Sequence, residues 1–494
     1  MRKINIMKYI KLIVFLLTMV ISISCQGLID AIIGTEDNPV QKPDYEVNDP
    51  QSFNALTTPL TLEAVSGTIT VNFKTDKTIE YSLDDGLNWV ASTPSLESNI
   101  QIIGNKILLR GNNPSYNGSY IRCEDEFYVY GNIMSLISGN DFANIKAFDK
   151  EKGEGAFYGF LGGNHKLMSH DVKKLVLPAT TLTPNCYRSM FIGCESMTRA
   201  PALPAKDLTG AESCYTDMFE SCRSLILPPE LPATKLSKQC YMGMLKYCNT
   251  ITIGPVLPAT DLTGCDNCYS HMFFGCKGLK QAPSLPALKL APQCYYVMFK
   301  DCYELEIAPE LPATDLTDAN YCYWSMFGSC KKLKLVPSLN ATKLSKGCYS
   351  GMFGGCESLI KAPELPATVI EEACYSGMFH YCHNLKIGPS ELPGLELKKA
   401  CYSSMFEECE QLVTAPILPA KSIDKDYCYR DMFSGCSKLA TITCKATSIT
   451  GVSSTENWLK GVSETGTFKK ATNMKSWPTD SPSGIPMGWS IIDL

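Results

Sequence analysis

Cys348-Tyr349-Ser350-Gly351-Met352-Phe353-Gly354-Gly355-Cys356 is one of ten copies of a Cys-Tyr-x-x-Met-Phe-x-x-Cys motif running from Cys186 to Cys436 at a spacing of 26 to 28 residues. Cys348, Met352 and Cys356 stand at i, i+4 and i+8, with Tyr349 and Phe353 beside them, which predicts one apolar stripe of a short helix. Ser345, three residues upstream, suits a helix N-cap, as do Thr183, with Pro184 behind it, and Ser237 elsewhere. Gly355 suits the helix end. Leu359-Ile360-Lys361-Ala362 then predicts a short strand, stopped by Pro363 and Pro366, which cannot donate to a ladder.

A period in the twenties with recurring Leu and a Cys or Asn at a fixed place predicts a leucine-rich-repeat solenoid, an α/β stack of short parallel strands and short helices. Ten such repeats would occupy residues 176–440. The segment Ala156 to Asn164 matches the motif at its apolar positions and reads as a degenerate first repeat within an N-terminal cap, 131–175. Residues 441–494 leave the motif, carry Trp458, Trp477 and Trp489, and read as a C-terminal cap. One repeat alone buries too little to offset the entropy of ordering it, so the units must stack. Strands closer together than helices would bend the stack and line its concave side.

Residues 51–130 alternate apolar and polar residues, as in Leu60–Val65, Thr68–Phe73 and Thr78–Leu83, with Asp84-Asp85-Gly86 as a turn. They predict a small all-β sandwich, immunoglobulin-like in outline, in which Cys123 has no evident partner. Residues 1–24 have a basic start (Arg2, Lys3, Lys8, Lys11) and an apolar run from Leu12 to Ile21, the pattern of an export signal. Ser24-Cys25 resembles a lipobox, although Ser22 replaces the usual aliphatic residue; a plain cleaved signal is the alternative. Residues 25–50 would then be the lipidated Cys25 and a flexible acidic tether. Removing residues 1–24 takes four positive charges and no negative ones, so the net charge falls from −5 to −9. An acidic body argues against nucleic-acid partners.

Twenty of the 24 cysteines occupy motif positions. Three readings stay open: buried thiols bonded to backbone in place of a ladder of Asn, disulfides, or zinc ligands. Asn164 at a Cys position favours the first. His380-Tyr381-Cys382-His383 is the sharpest constellation, but Cys382 is a repeat position. The acid pairs Glu371-Glu372 and Glu407-Glu408 fall at variable positions. No hydrolase, zinc-protease or phosphate-loop motif is present. The reading is therefore a non-enzyme with no catalytic residues, no metal site and no cofactor.

If structure holds the recurring positions, function must use the variable ones. The residue after each strand Leu should point to the concave face, in a row that includes Lys280, Glu306, Lys334 and Lys386. The residue between the two prolines forms a second row with Glu310 and Glu364. Tyr296 and Trp324, in the motif's x-x slot, would be exposed aromatics on another side.

The run Met352-Phe353-Gly354-Gly355-Cys356-Glu357-Ser358-Leu359 resembles the BspA-like leucine-rich-repeat surface proteins of bacteria, and Leu365-Pro366-Ala367-Thr368 resembles a branch from anaerobic, host-associated species. The resemblance spans about residues 128–494. It implies a lipoprotein on the bacterial cell surface or outer membrane, anchored by its N-terminal lipid, that acts as an adhesin toward a host protein, a glycan or other bacteria. A structural envelope spacer without a specific ligand is the alternative.

Overall fold

The computed structural model describes residues 53–92, 99–475, 477–479 and 481–494. The expected signal, Cys25 and tether lie outside the described residues.

The nine-residue motif does not fold as a helix. It is a chain of tight turns with a residue of positive φ at every fourth position: Asn185 (57°), Ser189 (52°) and Gly193 (70°) around the first copy, Gly347 (60°), Gly351 (62°) and Gly355 (72°) around another. Hydrogen bonds alternate accordingly. Cys186, Arg188, Met190, Ile192 and Cys194 each donate their N–H to the carbonyl three residues back. Tyr187, Ser189, Phe191 and Gly193 instead donate to Cys214, Thr216, Met218 and Glu220 of the following unit, at 2.7–3.0 Å. Each donor is used once, half locally and half between units, so no backbone amide of the segment is left unpaired. A four-residue period keeps Cys, Met and Cys in one inward column and Tyr and Phe in another. That is the same stripe a helix would present, and it explains why the apolar pattern points to one.

The α/β leucine-rich-repeat class is therefore corrected: the protein is almost all β and turn. Among the described residues, helix is confined to α1 (Ser135–Ser138) and a 3-10 turn (Phe142–Asn144). The expected caps do not form either. Thr183 Oγ1 donates to the Gly153 carbonyl (2.6 Å), and Ser237 and Ser345 are buried without side-chain partners. The expected strand at Leu359–Ala362 is reduced to a single parallel bridge, Lys361 to Ile387. Equivalent bridges join Arg199 to Leu227, Ile253 to Gln281 and Ile307 to Leu335. They occupy alternate junctions. At those same junctions Asp207, Asp261 and Asp315 bridge to Lys235, Lys289 and Lys343 and form ion pairs of 3.1, 3.1 and 2.8 Å. Each Asp also accepts the N–H two residues on (Thr209, Thr263, Thr317) at 2.9 Å. Thr209 and Thr263, followed by the paired lysines, draw the Asp207 and Asp261 carboxylates down to about 2. Exposed pairs of this kind add little stability; they mark a double unit.

Eight strands precede the array: β1 (Leu60–Ala64), β2 (Ile69–Lys74), β3 (Ile79–Ser82), β4 (Val90–Ser92), β5 (Asn99–Gly104), β6 (Lys106–Gly111), β7 (Tyr120–Cys123) and β8 (Phe127–Asn132). One sheet has the order β8-β1-β6-β3-β4 and the other β5-β2-β7, all antiparallel. β9 (Leu167–Met168) and β10 (Leu175–Val176) pair parallel to β8, so the first sheet runs on into the array. β7 docks on it too: Tyr116 and Ile121 donate to Ala156 and Phe160, and the Cys123 N–H meets Asn164 Oδ1 at 2.9 Å. The apparently orphaned Cys123 thus ends a cryptic preceding turn of the stack. At the other end Tyr429, Asp431, Phe433 and Gly435 donate to Ser454, Glu456, Trp458 and Lys460, continuing the pattern without its cysteines. β11 (Ser422–Ile423) pairs with β13 (Ser448–Ile449), and β12 (Thr441–Cys444), β14 (Gly466–Lys470) and β15 (Trp489–Asp493) form a parallel sheet.

Gly159 isolates the backbone argument, because its φ is +63° and a Cβ there would meet nothing within 4 Å. In a helix, Gly159→Ala would stabilise by about 1 kcal/mol. In the left-handed turn it should destabilise by about 1–2 kcal/mol, and Gly159→Asn by less. Urea midpoints of the three proteins decide between the two geometries.

Candidate binding surface

The motif positions line the interior as columns. Tyr187, Tyr215, Tyr241, Tyr269, Tyr295, Tyr323, Tyr349, Tyr375, Tyr402 and Tyr429 stack ring on ring at 5.7–6.0 Å with interplanar angles of 2–23°. Tyr116 and Phe157 extend this column toward the N-terminus. A parallel Phe column is broken only where Leu245 replaces Phe. Such offset stacks gain beyond their buried area.

The second motif cysteines form a thiol ladder. Cys222, Cys330 and Cys436 Sγ lie 3.1, 3.1 and 3.0 Å from the carbonyls of Phe191, Phe299 and Phe406 in the preceding unit. Each carbonyl already accepts the N–H of its own unit's cysteine, so the thiol takes up its second lone pair. Asn164 fills the same rung, its amide donating to Ile121 and Leu161. All 23 described cysteines are buried free thiols. Burial pushes the Cys186, Cys240 and Cys382 thiols up to about 12, the reverse of what a nucleophile needs.

The His380–His383 segment does not converge. Cys382 donates inward to Phe353 (3.1 Å), His380 Nδ1 meets the Gly377 carbonyl, and His383 Nδ1 lies 3.3 Å from Glu410. Among the described residues no group of three or more side chains could hold a metal ion.

Lys280, Glu306, Lys334 and Lys386 are exposed, each one residue before a bridge position. Lys334 pairs with Glu306 at 2.9 Å, whereas no ion pair to Lys280 or Lys386 occurs among the described residues. Glu310 and Glu364 are also exposed; Glu364 accepts the Ser390 N–H and hydroxyl at 3.0 and 2.7 Å. Aliphatic residues share this strip: Ile226, Ile253, Ile307, Leu335, Ile360 and Ile387 are all exposed. It is a mixed apolar and charged strip joined by single bridges, not by the strands expected.

Tyr296 and Trp324 are half-buried and stack at 4.7 Å and 8°. The structure adds three rings that motif reading missed. His271 lies 5.4 Å from Tyr296 and 5.9 Å from Phe274, which lies 5.3 Å from Tyr247. Burial, with Lys246 nearby, lowers the His271 pKa. The signal was the four-residue period. It places the x-x slots before and after Met-Phe on the same side, as the i, i+4 spacing of a helix also would.

No protein-family model matches the chain, and no curated protein matches it.

The thiols carry a pH prediction. An unfolded thiol ionises above roughly pH 8.5. The native thiols do not, so the native state binds more protons and stability falls as pH rises from there toward pH 12. Each thiol contributes up to about 1.4 kcal/mol per pH unit. Thermal melts from pH 7 to 10.5 should show a steep alkaline loss, and iodoacetamide should label the motif thiols only as the fold opens. A flat profile, or quick labelling of the native chain, would contradict the ladder.

Proposed function

We propose that this chain is an envelope-displayed binding module that meets an extracellular protein or glycan through the variable positions of its array. One observation carries the reading: the recurring Cys, Tyr, Met and Phe positions are buried, and the exposed strips are unit-specific in charge and shape. A sequence selected only to stack has no use for unpaired lysines at Lys280 and Lys386 beside exposed isoleucines. The export pattern at residues 1–24, the lipobox-like Ser24-Cys25 and the motif resemblance to BspA-like surface proteins support display on the bacterial surface through a lipid anchor.

A structural spacer remains the second reading, favoured by the charges that pair unit to unit along the array. Lys334 with Glu306, Lys332 with Glu304 and Lys331 with Glu357 are examples. The experiment is attachment of cells displaying the wild-type chain or the Lys280→Glu, Lys334→Glu, Lys386→Glu triple variant, at matched expression, to immobilised matrix proteins, mucin and partner bacteria. Binding through the strip predicts a severalfold loss of attachment. Equal attachment by both, or none by either with a weakened envelope on deletion, favours the spacer.

A further inference from the structure

We propose that Trp324 forms one wall of a glycan subsite in which a neutral pyranose ring lies on the indole face turned away from Tyr296. The proposal rests on the reading of the array as a binding surface. The register supplies the geometry. Counting units along the slot two residues after the first motif Cys gives Ser270, Tyr296, Trp324, Ser350, Ser376 and Ser403. Val297 N–H donates to Trp324 O and Ser325 N–H to Ser350 O, so these residues are true neighbours in the stack. Tyr296 covers one indole face at 4.7 Å. On the other side the next ring position holds a serine.

The slot four residues on carries glycines there. Gly328 and Gly354 are consecutive in it, preceded by Lys300 and followed by His380. A Cβ on Gly328 would stand 2.6 Å from Ser325 Oγ and 3.4 Å from Lys300 Cγ, and one on Gly354 would collide with the His380 ring, so these side chains lie over the two glycines. The indole face turned from Tyr296 is therefore flanked by small residues, Ser350 next in its own slot and Gly328 and Gly354 four residues on, with Lys300 and His380 beyond. Among the ten copies, an aromatic followed by serine in the first slot, with two glycines in the second, occurs once.

The lining specifies a sugar. A pyranose with equatorial hydroxyls presents C–H bonds on its faces and hydroxyls on its rim. The C–H face suits the electron-rich indole. The rim meets groups with no protein partner among the described residues: the Trp324 indole N–H, the Ser350 hydroxyl and the Lys300 ammonium. One free cation is too few to select a phosphate or polyanion.

The test uses the purified full chain with N-acetyllactosamine, laminaritetraose and cellotetraose, followed by saturation-transfer NMR and calorimetry. At least one should bind, with saturation strongest on the C–H protons of one pyranose face. Trp324→Ala removes the wall, and Ser350→Trp places a ring where the sugar would lie while sparing the core. Both should weaken binding roughly tenfold or more at an unchanged melting temperature. Binding that survives Ser350→Trp, or no binding of any probe to the wild-type chain at millimolar concentration, would overturn the subsite. If cells displaying the unaltered chain still attach while no probe binds, the subsite fails and the binding function stands.

Discussion

Everything in this molecule depends on how the motif backbone disposes of its amides. Tight turns alone would leave every second N–H unpaired inside an apolar stack, at a cost of one to a few kcal/mol each. Setting one residue in four to positive φ turns those N–H groups along the stack, where the next unit's carbonyls receive them. The left-handed conformation is expensive for residues such as Val297, Tyr321 and Glu408. It persists because the ladder on either side over-determines it. No unit can therefore hold this backbone without neighbours, and the array is cooperative by construction.

The interior chemistry follows from that ladder. Units joined by backbone bonds place like residues in register, so each column must tolerate its own copy above and below. Tyrosine and phenylalanine do so by offset stacking. Cysteine does so at the rung because it is small, buries readily and still offers one weak donor to a carbonyl with a spare lone pair. Serine is similar in size but costs more to bury if its bond is imperfect. Asparagine succeeds only at Asn164, where Cys123 N–H and two carbonyls saturate its amide.

What the sequence disclosed was the set of buried positions, since an apolar stripe at 0, 1, 4, 5 and 8 is common to a helix and to a four-residue turn spiral. What it concealed was the backbone. Gly347, Gly351 and Gly355, like Gly155, Gly159 and Gly163, recur every four residues. Three glycines in one short helix would cost about 3 kcal/mol against alanine, so the recurrence itself argued for left-handed turns. Taking Gly355 as a helix end explained one glycine and left the other two without a role. Cys123 was opaque for a different reason. Its turn is separated from the next by far more than one period, and only the bonds from Tyr116 to Ala156 and Ile121 to Phe160 reveal it as part of the stack. On the surface, Tyr296 and Trp324 were visible as aromatics in a variable slot. Tyr247, His271 and Phe274 stand in the equivalent slots of neighbouring units, and only the stacking register brings their rings together.

The double unit gives the exposed strip its own period. Units with Asp207, Asp261 or Asp315 alternate with units bearing Lys235, Lys289 or Lys343. Lys280, Lys334 and Lys386 recur in the same two-unit step, as do Glu310 and Glu364. Two units span roughly 10 Å at β-strand spacing. An extended ligand lying along the strip would thus meet like charges about every 10 Å, a distance that three residues of extended peptide cover. Within one unit only one or two charged side chains of the strip are available, as at Glu306 and Glu310, and one exposed ion pair is worth little. Any affinity for an extended ligand must accumulate over several double units. Under the proposed binding function, the length of the array would then be a requirement of recognition as well as of folding.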